Sequence, residues 1–165
     1  MEIILKSKRL RFVRFTKDKV NKTYKNWMND NEITEFILKS NINKISSLKN
    51  FVESMQNSKN FFFQIIDQKS NKHIGNVRIG PLSFKEKSSG YGIMIGDKNF
   101  HNKGYGKEVT SFATNFLFVF LNFRKIEFDC YIANIPAMKL YEKLDFKKKY
   151  KSKKIKTFYK VNDKL

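Results

Sequence analysis

Cysteine is almost absent from this chain. Cys130 stands alone, which excludes an intramolecular disulfide and a cysteine-based zinc site within one chain. Histidine is as scarce, at His73 and His101, so a histidine-rich metal site lacks ligands and no metal is expected. Two prolines and seven glycines leave no low-complexity linker, and no internal repeat is visible. With 165 residues, the expectation is a single domain over 1–165. The longest apolar run, FLFVFL at 116–121, falls far short of the roughly 18 residues that a bilayer span needs. The start, MEIILKSKRLRF, lacks the apolar segment and small-residue cleavage site of a signal peptide, so a cytoplasmic location is expected. Acidic residues are also few: 15 Asp+Glu face 34 Lys+Arg, for a net charge of +19. Such a balance suits an anionic partner, a nucleic acid, a phosphate-bearing cofactor or an anionic surface. Compositional bias toward lysine would produce it equally.

What is present is apolar mass. Hydrophobic residues make up 41% and include seventeen Phe, enough for a substantial core and too many for a disordered chain. RLRFVRF (9–15) alternates as a strand. Thr16 stands where a cap would open a helix carrying Val20, Tyr24, Trp27 and Met28. NDNEITEFI places Ile33, Phe36 and Ile37 on one face of a second short helix. SSLKNFVESMQN places Leu48, Phe51, Val52 and Met55 at helical spacing after a serine cap. NFFFQIID (60–67), HIGNVRIG (73–80) and SSGYGIMIG (88–96) read as three strands in a meander. Val109 to Phe120 carry a helical stripe, RKIEFDCYI (124–132) a strand, IPAMKLYEKL (135–144) a helix with Pro136 near its start, and KIKTFYKV (154–161) a strand with one solvated face. The alternation of short strands and helices predicts an α/β or α+β fold.

The stretch DKNFHNKGYGKEV (97–109) has the marks of an anion site: two glycines, flanking lysines and a helix beginning at once. It is not a Walker A loop, since Glu108 follows Gly106-Lys107 where Ser or Thr is needed. It is not a dinucleotide fingerprint either, since Val109 stands where the third glycine belongs. Two readings remain, a turn whose successive N–H groups hold a pyrophosphate and a turn that is only structural.

The neighbourhood of this loop resembles the GNAT superfamily of acetyl-CoA-dependent N-acetyltransferases. That family's loop, (R/Q)-x-x-G-x-(G/A), corresponds to HNKGYG here. Its later helix, N-x-x-A-x-x-x-Y-x-x-x-G-F, corresponds to Asn134, Ala137, Tyr141 and Asp145-Phe146. The opening RLRFVRF…NWMNDNEITEF is similar to the branch of ribosomal-protein alanine and amino-sugar acetyltransferases. The chain departs from the pattern twice. His101 replaces Arg or Gln, and Asp145 replaces a glycine at a position that often needs a left-handed backbone, which Asp tolerates.

The resemblance implies a mixed, mostly antiparallel central sheet of about six to seven strands flanked by helices, splayed between 91–96 and 124–132. It also implies acetyl-CoA as co-substrate. The backbone of Met94 and Ile95 would pair with the pantetheine amides, and a nearby N–H would polarise the thioester carbonyl. The loop His101, Asn102, Lys103, Gly104, Tyr105, Gly106 and Lys107, with Asn134, would complete the CoA site. Tyr141 reads as a core tyrosine by periodicity and as the proton donor to the departing thiolate by resemblance. Asp129 reads as a base for the amine or as a strand carboxylate. Glu127, Asp30 and Glu32 are candidates for binding the amine. The expected acceptor is a small-molecule primary amine, anionic in character, such as a nucleotide-linked amino sugar, because strong positive charge disfavours a polycation. A protein N-terminus is the alternative acceptor. A nucleic-acid module built on FKKKYKSKKIKTFYK, or a fold that binds acetyl-CoA without turnover, are alternatives of a different class.

Overall fold

The alternating segments build one eight-stranded sheet, seen in a computed structural model that describes residues 4–37, 44–57 and 59–164. In chain order the strands are β1 (Ile4–Lys6), β2 (Leu10–Arg14), β3 (Phe61–Asp67), β4 (His73–Ser83), β5 (Ser88–Ile95), β6 (Lys125–Tyr131), β7 (Lys147–Tyr150) and β8 (Ile155–Val161). In space the order is β1-β2-β3-β4-β5-β6-β8-β7, and every neighbouring pair is antiparallel except β5–β6. The helices are α1 (Lys22–Asn29), α2 (Asn31–Thr34), α3 (Ile45–Asn57), α4 (Tyr105–Asn115) and α5 (Ile135–Lys143).

Side chains of successive strand residues point to opposite faces, so the sheet carries two cores. On one face Leu10, Phe12, Phe63, Ile65 and Val77 pack with Val109 and Ala113 of α4 and Tyr141 of α5. On the other, Phe15, Phe62 and Met94 pack with Tyr24 and Trp27 of α1 and Leu48 and Val52 of α3. Burying side chains of this size contributes about 1.5–3 kcal/mol each before conformational entropy is subtracted.

Several local expectations shift. Thr16 caps nothing with its side chain. A 3-10 turn over Lys17–Lys19 intervenes, and Asn21 caps α1 by accepting from the Tyr24 N–H at 3.0 Å. α2 ends at Thr34, leaving Phe36 and Ile37 in the turn beyond it. α3 begins at Ile45, so Ser46 and Ser47 fall inside its first turn. The sheet has eight strands rather than six to seven. β1 spans only three residues, and β7 is the exposed run KKKY, with no apolar alternation to announce it.

Candidate active site

β5 and β6 share only two ladder positions, Ser88↔Lys125 and Ser89↔Ile126, and then part. β5 is held on its far side by β4, and β6 by β8 along its whole length. The sheet therefore opens between 90–95 and 127–131, as the resemblance implied. Along the open edge of β5 the peptide groups alternate. The Gly96 N–H donates to the Ile74 carbonyl at 2.9 Å, toward β4, and the Ile95 carbonyl turns away to accept from His101 Nε2 at 2.8 Å. By the alternation of an antiparallel ladder, Ile93 and Ile95 present their N–H and C=O to the opening, while those of Met94 face β4. Met94 buries its side chain on the α1–α3 face instead. The unpaired edge of β5 is thus formed by Ile93 and Ile95 and not by Met94, because the pairing register puts odd-numbered residues there.

Beyond β5 the chain makes a 3-10 turn over Lys98–Phe100, capped by the Asp97 carboxylate accepting from the Asn99 N–H at 2.9 Å. Asn102 and Gly104 then take left-handed backbone, with φ of 57° and 79°, and Gly104 becomes the N-cap of α4. The N–H groups of Tyr105, Gly106 and Lys107 open the helix without intrahelical acceptors. The first such bond runs from the Glu108 N–H to the Gly104 carbonyl at 3.2 Å. The positive end of the helix dipole and these N–H groups converge, which fits a pyrophosphate. Lys107 is exposed beside them, whereas Lys103 folds back to donate to the Asn99 carbonyl at 2.7 Å. His101 is engaged with Ile95, which ties the loop to the strand.

A network that the sequence did not reveal braces this loop. Glu108, in the first turn of α4, accepts from Ser7 Oγ at 2.6 Å, from the Arg9 N–H at 2.7 Å and from Arg9 Nε at 2.7 Å. Arg9 also donates to the Lys103 carbonyl at 3.0 Å, and its guanidinium lies 4.0 Å from the centre of the Tyr105 ring. Partial burial alone would push the Glu108 carboxyl up. The hydrogen bonds from Ser7 and Arg9, and the charge of Arg9, outweigh it and hold the carboxyl below its ordinary value. The partners lie about a hundred positions apart, so no local motif could have signalled them.

Tyr141 of α5 sits beside the opening on the α4–α5 face. Its ring centre is 4.6 Å from Phe128 of β6 and 6.4 Å from Tyr91 of β5, so it spans the two parted strands. Burial raises its phenol well above the ordinary value, with Tyr91 and Cys130 adding to the effect, and the hydroxyl keeps its proton at neutral pH. That hydroxyl makes no hydrogen bond with another described residue. Asn134 caps α5, accepting from the Ala137 N–H at 3.3 Å. Asp145 takes the left-handed backbone, φ 59°, expected where the family has glycine.

On the opposite face of the opening lies a cavity of about 620 Å³, with Arg78, Glu127, Asp129, Lys149 and Lys151 among its lining residues. Asp129 accepts from Thr157 Oγ1 at 2.8 Å and pairs with Lys151. Glu127 lies 2.5 Å from Lys125 and 2.9 Å from Lys149, and these two lysines hold its carboxyl below the ordinary value. Asp30 and Glu32 do not line this cavity. Both pair with Lys98, and Asp30 lines a second cavity, of about 540 Å³, with Trp27 and His73. Three of the seven lysines in 147–156 are in ion pairs: Lys148 with Glu142, Lys149 with Glu127 and Lys151 with Asp129. Among the described residues no group of three or more His, Cys, Asp or Glu is placed to hold a metal ion, and no helix is long and apolar enough to cross a membrane.

Known proteins share this architecture. A solved GNAT-family acetyltransferase from Bacillus anthracis superposes with a TM-score of 0.82 at 19% identity, over 98% of this chain and 99% of that one. Spermidine N-acetyltransferase from Vibrio cholerae, solved with CoA and spermine, superposes with a TM-score of 0.82 at 18% identity, over 96% of this chain and 98% of that one. By sequence, the chain is 26% identical over 110 residues to the SPbeta prophage-derived uncharacterized N-acetyltransferase YokL of Bacillus subtilis strain 168. That match covers 67% of this chain and 61% of the relative, so the chain spans about three fifths of the length of the curated relative it matches. The model of the acetyltransferase (GNAT) domain matches residues 9–147, and the chain belongs to that family.

Proposed function

We propose that this chain transfers an acetyl group from acetyl-CoA to the primary amine of an anionic small molecule, such as a nucleotide-linked amino sugar. The observation that carries the reading is the opening between β5 and β6, with a helix N-terminus and Tyr141 on one face and a charged cavity on the other. Acetyl-CoA, as co-substrate, supplies the activated acyl group. The amides of Tyr105, Gly106 and Lys107 hold its pyrophosphate, and the free edge of β5 at Ile93 and Ile95 pairs with its pantetheine arm. An N–H on that edge stabilises the oxyanion, an interaction whose loss typically costs about 10²–10³ in rate. Tyr141 protonates the departing thiolate, a role suited to a neutral phenol with no competing partner.

The amine enters from the cavity face. Glu127 and Asp129 hold it, and Asp129 takes its proton once Lys151 moves aside. Tyr150, 67% exposed at the cavity rim, offers a ring on which a sugar or base can stack. A polycation such as spermidine, the substrate named for one structural neighbour, is disfavoured by the +19 charge and by three cationic side chains in the cavity. The test is thiol release from acetyl-CoA with a panel of nucleotide-linked amino sugars, N-terminal peptides and spermidine. Acceleration by the amino sugars is expected; acceleration by peptides alone would replace the acceptor, and none by any amine would remove the activity.

A further inference from the structure

Arg78 is the one charged side chain lining the β5–β6 cavity that has no partner among the described residues. Glu127, Asp129, Lys149 and Lys151 all engage one another across its walls. Arg78 stands on β4, opposite Gly92 of β5, and is half-buried. Its guanidinium lies across Gly92. A Cβ built there meets only Arg78 Nη2 at 3.8 Å and Nε at 4.0 Å, so Gly92 itself puts no side chain against the guanidinium. Burial pushes its pKa down, an unfavourable setting for a cation that no described residue compensates. A planar fork of donors left open in a cavity matches a carboxylate or a phosphate. Arg78, on β4, lines the same cavity as the β6 carboxylates of Glu127 and Asp129, on the far side of the parted strands.

We infer that Arg78 is the specificity-determining residue of the acceptor site, clamping an acidic group of the substrate while its amine is held at Glu127 and Asp129. The acceptor is then an amine that carries a carboxylate or phosphate within one sugar ring's reach. Lys149 and Lys151, already neutralised by the β6 acids, screen the mouth but do not replace the clamp. The inference rests on reading the cavity as the acceptor's seat.

Matched amines test it: glucosamine 6-phosphate against glucosamine for a phosphate, and serine against serinol for a carboxylate. Wild-type protein is expected to prefer the acidic member of at least one pair by about 10–100-fold in kcat/KM, the scale of a charge-assisted hydrogen-bonded pair. Arg78→Ala should erase that preference mainly through KM, and Arg78→Lys should keep part of it. Which pair discriminates identifies the group. Because both amines meet the same variant, a general folding defect cannot mimic a lost ratio. A ratio unchanged in Arg78→Ala, or no preference in wild-type protein, overturns the inference. Should no amine be acetylated, calorimetric binding of glucosamine 6-phosphate and of serine, each without acetyl-CoA, decides separately. Binding that Arg78→Ala abolishes supports the clamp even though the transferase reading has failed, and binding that is absent or indifferent to Arg78 overturns it.

Discussion

Replacing Glu108 by Gln should loosen the loop that opens α4 while leaving its shape intact. The carboxylate receives three donors, Ser7 Oγ, the Arg9 N–H and Arg9 Nε, at 2.6–2.7 Å. An amide has one acceptor oxygen, so its NH₂ must face at least one of those donors, and the charge opposite Arg9 is gone. Hydrogen bonds to a charged group contribute about 1.5–3 kcal/mol each. The Arg9 side chain is 38% exposed and that of Glu108 14%, so water recovers part of the loss, leaving a cost of about 2 kcal/mol. For a domain of this size that lowers Tm by about 4–8 °C. The sign with pH follows from the depressed carboxyl. A group whose pKa is lower folded than unfolded stabilises above its unfolded value, about 4.3, and loses that contribution as pH falls through the folded value. Thermal unfolding followed by circular dichroism should therefore show a constant gap between wild type and Glu108→Gln from pH 8 to 6 that narrows below about pH 4. A cycle with Arg9→Ala should return a coupling of about 1–2 kcal/mol. Equal Tm values at pH 7, or a gap of the same size at pH 3.5, would refute the role given to this network.

Three further substitutions probe other parts of the site. Tyr141→Phe should lower kcat by about 10²–10⁴ with acetyl-CoA affinity and Tm nearly unchanged, since the hydroxyl has no partner among the described residues to lose; stopped-flow thiol release and calorimetry separate the two effects. Gly104→Ala should cost about 1–2 kcal/mol through left-handed backbone alone, because its Cβ would meet only Arg9 Nη2 at 3.7 Å, and calorimetry should show weakened CoA binding. Gly96→Ala should cost about 1–3 kcal/mol in urea unfolding, because its Cβ would overlap the Trp27 indole packed on the end of β5.

The legible parts of the molecule were those written in short-range pattern. The stripes of Leu48–Met55 and Val109–Leu117, the hairpin of β3 and β4, and the glycine turn before α4 each follow from spacing within about a dozen residues. The stripe expected to run on to Phe120 stops short, because α4 ends at Asn115, a π turn follows over Phe116–Phe120, and Phe120 is exposed. The motif Asn134–Tyr141 placed a tyrosine beside the opening, and Asp145 took the backbone its glycine-like position needed. What pattern could not supply was pairing at a distance. Arg9 and Glu108 meet only because β2 runs beneath the start of α4. Their place in the early helices points Asp30 and Glu32 toward the amine, yet Lys98, reaching over from the loop after β5, pairs with both. β7 was hidden because an exposed edge strand of lysines carries no apolar period. Which residues of β5 face the opening depends on ladder register, and that choice separates Ile93 and Ile95 from Met94.

The central claim is that the free edge of β5 and the N-terminus of α4 together seat CoA. Amide chemical shifts of the isotope-labelled protein, followed during titration with CoA, test it most directly. The account predicts saturable shifts concentrated at Ile93, Ile95, Tyr105, Gly106 and Lys107, with Met94 less affected. Saturable binding that leaves those amides unmoved, or that maps to the lysines of β7 and β8 instead, would contradict it.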